Sequence, residues 1–260
     1  MDLGLKDKVV IVTGGAKGIG AGISESFAAE GAKVVIASRD SQMARDFSAK
    51  LAKTTEVLFI EGDLTEAGTC QKIIDTTIEK FGKIDVLVNN AGVNDGVAIT
   101  DSVDAFVASL QKNLIQVFEL VHYALPHLEK SQGNIVNIGS KVADTGQGNT
   151  SGYAASKGAL NALTREWALD FRNKNIRVNT VIPAECMTPL YENWLATLDD
   201  PQAQLEKINK SIPLGNRMTT CEELANATVF VSSSKSSHTT GQILYVDGGY
   251  THLDRTCTAN

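Results

Sequence analysis

Seven short apolar runs recur along the chain, at residues 8–13, 33–38, 56–60, 84–89, 134–138, 176–182 and 242–246. They are continuous rather than alternating, as in Val-Val-Ile-Val of the first and Val-Val-Ile-Ala of the second. That is the pattern of strands covered on both faces. Helical stretches fall between them, at about 19–30, 41–53, 66–81, 101–128, 151–174 and 220–233. Gly31 stands where the first helix should stop. The alternation predicts an α/β fold, a doubly wound parallel seven-stranded sheet with helices on both faces. No linker divides the chain, so residues 1–260 read as a single domain. One segment, about 184–215, breaks the rhythm and carries Pro189, Pro201 and Pro213. It is expected to be an irregular lid over a site.

Composition narrows the function. At 260 residues, with 43% hydrophobic and 21% charged residues, the chain is an ordinary globular domain rather than a disordered one. A net charge of −6 and a pI near 5.3 argue against a basic nucleic-acid footprint. Cys70, Cys186, Cys221 and Cys257 are scattered without a C-x-x-C, which predicts free thiols and no metal site. Residues 1–8 lack the layout of a signal peptide, and no apolar run approaches the ~18 residues of a membrane span. The expectation is a cytoplasmic protein without a membrane partner.

The first strand runs into Thr13-Gly14-Gly15-Ala16-Lys17-Gly18-Ile19-Gly20 and then a helix. Glycines let the backbone turn sharply and approach a pyrophosphate, and the helix N-terminus offers N–H groups and a positive dipole end. A glycine cluster alone is also a plain tight turn. The strand before and the helix after make it a dinucleotide-binding candidate and the sheet Rossmann-like. Tyr153 and Lys157, four apart on a helix, share one face. A neighbouring ammonium lowers a phenol's pKa and suits it to acid–base work. Without further context such a pair is an ordinary helical pair.

The context is supplied by several motifs in order. The G-x-x-x-G-x-G turn, Asn89-Asn90-Ala91-Gly92 after the fourth strand, and Tyr153-x-x-x-Lys157 resemble the short-chain dehydrogenase/reductase family. Asp63, Asn113, Ser140, Pro183 and Thr188 continue the resemblance, which spans residue 6 to about 250. It implies an NAD(P)-dependent oxidoreductase with Asn113, Ser140, Tyr153 and Lys157 as the catalytic set. Ser140 would orient the substrate oxygen, and Asn113 would hold a water that links Lys157 to solvent. It also implies a nicotinamide dinucleotide held by Gly14, Lys17, Gly18, Ile19, Gly20, Ser38, Arg39, Asp63, Leu64, Asn90, Ala91, Gly92, Tyr153, Lys157, Pro183 and Thr188. The family usually has Pro-Gly where this chain has Pro183-Ala184, so the local backbone is expected to differ there.

An acidic residue ending the second strand would select NAD, but this chain has Ser38-Arg39, with Asp40 following. Arg39 and Lys17 suit a 2′-phosphate, which favours NADP. NAD stays open, because Arg39 can also stack on adenine. The loops after the strands are polar, with Asn94, Gln147, Asn149, Glu185 and Trp194 as substrate candidates. Further stretches, including Thr164-Arg165-Glu166-Trp167 and His238-Thr239-Thr240-Gly241, resemble bacterial sugar dehydrogenases of the L-fucose dehydrogenase type. A 3-oxoacyl or other carbonyl reductase is the alternative, and a non-catalytic dinucleotide sensor a further one. Stretches 101–128 and 151–174 carry apolar residues on more than one face, among them Phe118, Leu120, Leu163 and Trp167, and the resemblance implies that these helices pair between subunits of a homotetramer.

Overall fold

A computed structural model describes residues 1–39 and 41–254. Asp40, Arg255 and Cys257 lie outside the described residues. Seven parallel strands form one sheet: β1 (Val9–Thr13), β2 (Lys33–Ser38), β3 (Val57–Glu61), β4 (Val86–Asn89), β5 (Asn134–Ile138), β6 (Arg177–Pro183) and β7 (Ile243–Val246). Their order is β3-β2-β1-β4-β5-β6-β7. The winding therefore reverses at β1, which leaves a crevice between the carboxyl ends of β1 and β4.

Both faces of the sheet are covered. Helices α1 (Gly18–Ala29), α2 (Gln42–Leu51) and α3 (Thr69–Phe81) follow the first three strands. Val10, Val12, Val34 and Ile36 point to one side, where Ile23 and Phe27 of α1 pack with Leu224 and Val229. Val9, Ile11, Val35 and Ala37 point to the other, against Ile73, Ile74, Leu120 and Leu160. Each strand alternates its side chains between two apolar layers, which is why its sequence shows no polar alternation.

The stretch expected as one helix over 101–128 is divided. Helix α4 (Val103–Leu110) passes through a π-helical turn, Gln111–Ile115, into α5 (Gln116–Ser131). A short α6 (Val142–Thr145) precedes α7 (Ser151–Asp170), and a 3-10 turn, Arg172–Lys174, completes the 151–174 stretch. The 184–215 segment is not irregular as expected. It holds α8 (Pro189–Leu195) and α9 (Pro201–Lys210), before α10 (Cys221–Ser232) closes the first face. Pro189 and Pro201 sit in the first turns of these helices, where a missing N–H costs nothing. Thr188 and Asp200 cap them, accepting from Tyr191 N at 3.3 Å and Ala203 N at 3.0 Å. Among the described residues, no helix is long and apolar enough to cross a membrane.

Candidate active site

At the switch point the glycine turn is bolted to the Asn-Asn-Ala-Gly block. Buried Thr13 Oγ1 accepts from the backbone N–H groups of Asn90 and Ala91, both at 3.0 Å. Asn90 Nδ2 donates to Thr13 O at 2.8 Å. Gly14 takes the left-handed region, φ +63°. A Cβ on Gly20 would stand 2.2 Å from Gly14 O and 2.5 Å from Asn90 Nδ2, so only glycine fits. Ile19 is half-buried against the first apolar cluster. Gly18 backs onto Thr188, whose methyl would lie 3.2 Å from a Cβ there. Lys17 occupies the N-cap of α1 and makes no side-chain cap bond. This side-chain-free cradle at a helix N-terminus fits the pyrophosphate of a dinucleotide.

The edge where an adenosine would lie carries half-buried Ser38 and exposed Arg39, with exposed Lys17 in the glycine turn. Asp63 accepts from the Thr65 hydroxyl at 2.7 Å and the Thr65 N–H at 2.9 Å. These bonds hold its carboxyl below the usual range, and the charge of Arg39 adds to the effect. Leu64, next in the chain, packs half-buried against the second apolar cluster.

On the other side of the crevice stand the predicted catalytic residues. Tyr153 and Lys157 come from the first two turns of α7, with Lys157 Nζ 5.5 Å from the Tyr153 ring centre. Lys157 is buried and donates to Ile138 O at 2.8 Å. Ser140, just beyond β5, lies beside the Tyr153 phenol and acts to lower its pKa. Asn113 lies in the π-helical turn and is fully buried. Its Oδ1 accepts from Val93 N at 2.7 Å, and its Nδ2 donates to Ser109 O at 3.0 Å. A Cβ on Gly92 would stand 2.9 Å from that Oδ1 and 3.6 Å from Lys157 Nζ. The four residues thus converge, and the widened turn explains why an asparagine sits inside a helical stretch.

The expected lowering of the Tyr153 pKa by Lys157 is not what this geometry produces. Burial raises the phenol above its ordinary value, and Ser140 pulls the other way. The same burial brings Lys157 down to about 8. Desolvation is the larger of the two influences on the phenol.

Pro183 ends β6, buried, and Ala184 is not among the described residues with positive φ, so alanine costs nothing there. Of the substrate candidates, Asn94 accepts from Gly96 N at 3.3 Å. Gln147 and Asn149 are exposed on the loop before α7. Asn149 has φ +53°, a conformation asparagine tolerates, so its residue type also has a backbone reason. Trp194 is exposed and stacks edge-on against Tyr191 at 5.2 Å. Glu185 is ion-paired with Lys141. Lys141 was missed from the sequence, although a lysine directly after Ser140, at the end of a buried strand, was a usable signal. Among the described residues, no group of three or more His, Cys, Asp or Glu could hold a metal ion.

The family model described as enoyl-(acyl carrier protein) reductase matches residues 14–251. The chain belongs to the short-chain dehydrogenase/reductase family. Rat (Rattus norvegicus) L-fucose dehydrogenase is 39% identical over 244 residues, covering 93% of this chain and 88% of that protein. The crystal structure of Cj0485 dehydrogenase is similar at TM-score 0.94 and 48% identity, covering 98% of both chains. The aldohexose dehydrogenase of Thermoplasma acidophilum gives TM-score 0.87 at 32% identity, covering 97% of both. As a short-chain dehydrogenase/reductase, this protein is an oxidoreductase that acts on CH–OH groups with a nicotinamide cofactor.

Gly20→Ala should weaken nicotinamide dinucleotide binding by ~10-fold or more, because the Cβ must displace the Gly14 carbonyl or the Asn90 amide, and overpacking of this kind typically costs ~1–3 kcal/mol. Fluorescence titration of the reduced cofactor checks it; unchanged affinity would remove the turn from the cofactor site.

Proposed function

We propose that this short-chain dehydrogenase/reductase oxidises a free aldose such as L-fucose at its anomeric hydroxyl, giving the lactone. The observation that carries this reading is the convergence of Ser140, Tyr153 and Lys157 beside connections rich in amide, carboxylate and aromatic groups. Relatives that bear the names L-fucose dehydrogenase and aldohexose dehydrogenase support it. The second reading, a 3-oxoacyl or other carbonyl reductase, draws on the acyl-carrier wording of the matched family model. A sensor without catalysis is disfavoured by the intact catalytic set. A panel of aldoses, simple alcohols, hydroxysteroids and 3-oxoacyl thioesters decides between them. Preference for any class but the first overturns the sugar reading.

The bound nicotinamide ring supplies the hydride chemistry. Ser140 bonds the substrate oxygen and holds it against Tyr153. The Tyr153 oxygen takes the hydroxyl proton during oxidation and returns it during reduction. Lys157, whose Nζ lies 5.5 Å from the Tyr153 ring centre, would hold the nicotinamide ribose. Asn113 positions Gly92 and Val93, with both of its side-chain polar groups engaged, so its expected water-holding role would draw on their remaining bonding capacity. Pro183 and Thr188 would hold the cofactor at its carboxamide, Asn90, Ala91 and Gly92 would form its floor, and Asp63 and Leu64 would serve its adenine end. Asn94, Gln147, Asn149, Glu185 and Trp194 are the substrate contacts of this reading. A site that bonds several hydroxyls rejects analogues that lack them, because its own polar groups are left unpaired.

The cofactor of this reading is NADP rather than NAD, with Arg39 and Lys17 on the 2′-phosphate. The assembly is a homotetramer in the cytoplasm. Leu120 and Trp167 are buried in the subunit, so the exposed apolar side chains these helices leave for association are Val103, Val107, Ile115, Phe118 and Leu169. Light scattering at micromolar concentration should give four subunits, and a monomer would refute the assembly.

Tyr153→Phe should retain fold and cofactor affinity but lose ~10²–10⁴ in turnover, since only the proton-carrying oxygen is removed. Because burial raises the phenol's pKa, its base form grows as pH rises. Oxidation by the wild type should therefore accelerate from about pH 7 to about pH 9, while reduction, which uses the protonated phenol, should not. Turnover of the variant within a few-fold of wild type would sink this role.

Arg39→Ala should weaken NADP by ~10-fold or more and NAD by much less, as expected for a lost charge-assisted bond to phosphate. Titration of both cofactors decides it, and an equal loss for the two would favour adenine stacking.

A further inference from the structure

Lys141 follows Ser140 directly, and its backbone N–H donates to Pro183 O at 3.1 Å, which ties the exits of β5 and β6. Its side chain is nearly buried, at 9% exposure, and its ammonium is paired with the Glu185 carboxylate, itself at 17%. The ammonium also lies 3.9 Å from the centre of the Tyr250 ring. The Glu185 carboxylate faces the Tyr191 phenol, whose pKa rises through burial and then through that charge. Four segments therefore meet on this pair: the β5–α6 connection, the β6–α8 connection, α8 and the chain beyond β7. All four belong to the carboxyl-end side of the sheet, where ligands of such folds bind.

A buried ion pair is a poor choice for stability alone, because apolar residues of similar volume commonly do as well or better. The three rings contributed by Tyr191, Trp194 and Tyr250 show that this region has apolar material at hand. What the pair offers that rings do not is a strong donor beside a strong acceptor. A vicinal diol presents the matching set: each hydroxyl donates one bond and accepts others. Ser140 marks the place of the reacting oxygen, and Lys141 is the next residue in the chain.

We propose that Lys141 and Glu185 act as one specificity-determining unit that reads the hydroxyl next to the reacting carbon, with the ammonium donating and the carboxylate accepting. This rests on the aldose reading and deepens it. Lys141, which the resemblance does not assign, is a substrate-recognition residue, and it acts jointly with Glu185.

The test compares wild type, Lys141→Met, Glu185→Gln and the double variant Lys141→Gln/Glu185→Gln. The double variant leaves no unpaired buried charge and so keeps the test open where a single variant fails to fold. Each is assayed on an aldose and on its 2-deoxy analogue, with cofactor titration and thermal denaturation to verify fold. Wild type should prefer the aldose in kcat/KM by ~10-fold or more, mainly through KM. In every folded variant that ratio should fall towards unity. A purely structural pair would lower both substrates alike and leave the ratio intact. Aldose oxidation by wild type with an unchanged ratio in the variants overturns the proposal and spares the aldose reading. No aldose oxidation by wild type overturns both.

Discussion

A single hydroxyl sits at the point where the sheet reverses its winding. Thr13 Oγ1 is fully buried at the end of β1 and accepts two successive N–H groups from the chain leaving β4. Strands that diverge at a switch point leave backbone groups without ladder partners, and buried ones must be satisfied some other way. With the hydroxyl in place, Asn90 reaches back to Thr13 O, Gln116 donates to Ala91 O at 2.9 Å, and Asn113 receives Val93 N. The glycine turn on one side and the catalytic residues on the other are thereby referenced to the same few atoms. A cofactor held at the turn and a proton donor on α7 can then keep a fixed relation across the crevice.

Two lysines at this edge of the sheet illustrate how burial is used. Lys157 is buried with a carbonyl as partner, and desolvation lowers its pKa to about 8. That value brings the ammonium close to the pH at which it gives up its charge, which suits a group that stands behind a proton-transferring phenol. Lys141 is nearly as buried but has a carboxylate, not a carbonyl, as its partner.

The part of the chain beyond β6 behaves differently from the frame. Its prolines read as breakers along the sequence, yet Pro189 and Pro201 start helices and are backed by side-chain caps from Thr188 and Asp200. Thr188 serves two ends at once, capping α8 and packing its methyl against Gly18 of the phosphate turn. The segment is thus rooted in the cofactor site at one end, while Trp194 near its other face remains exposed.

The sheet, its parallel sense and the position of the glycine turn were legible in residues such as Val9–Val12 and Gly14–Gly20, because burial on both faces and a close helix–strand turn leave local marks. The same holds for Tyr153 and Lys157, whose spacing alone puts them on one face of a helix. Three things were not legible. The π-helical turn at Asn113 depends on where Val93 lies, 20 residues earlier in the chain. The net direction of the Tyr153 pKa depends on the sum of burial and partners around it, which no spacing encodes. The pairing of Lys141 with Glu185 joins residues 44 apart through the adjacency of β5 and β6. Local pattern determined the frame, since periodicity and turn chemistry act over a few residues. Tertiary packing decided the electrostatics of the site, since charge and burial act through space on groups the chain brings together only once it is folded.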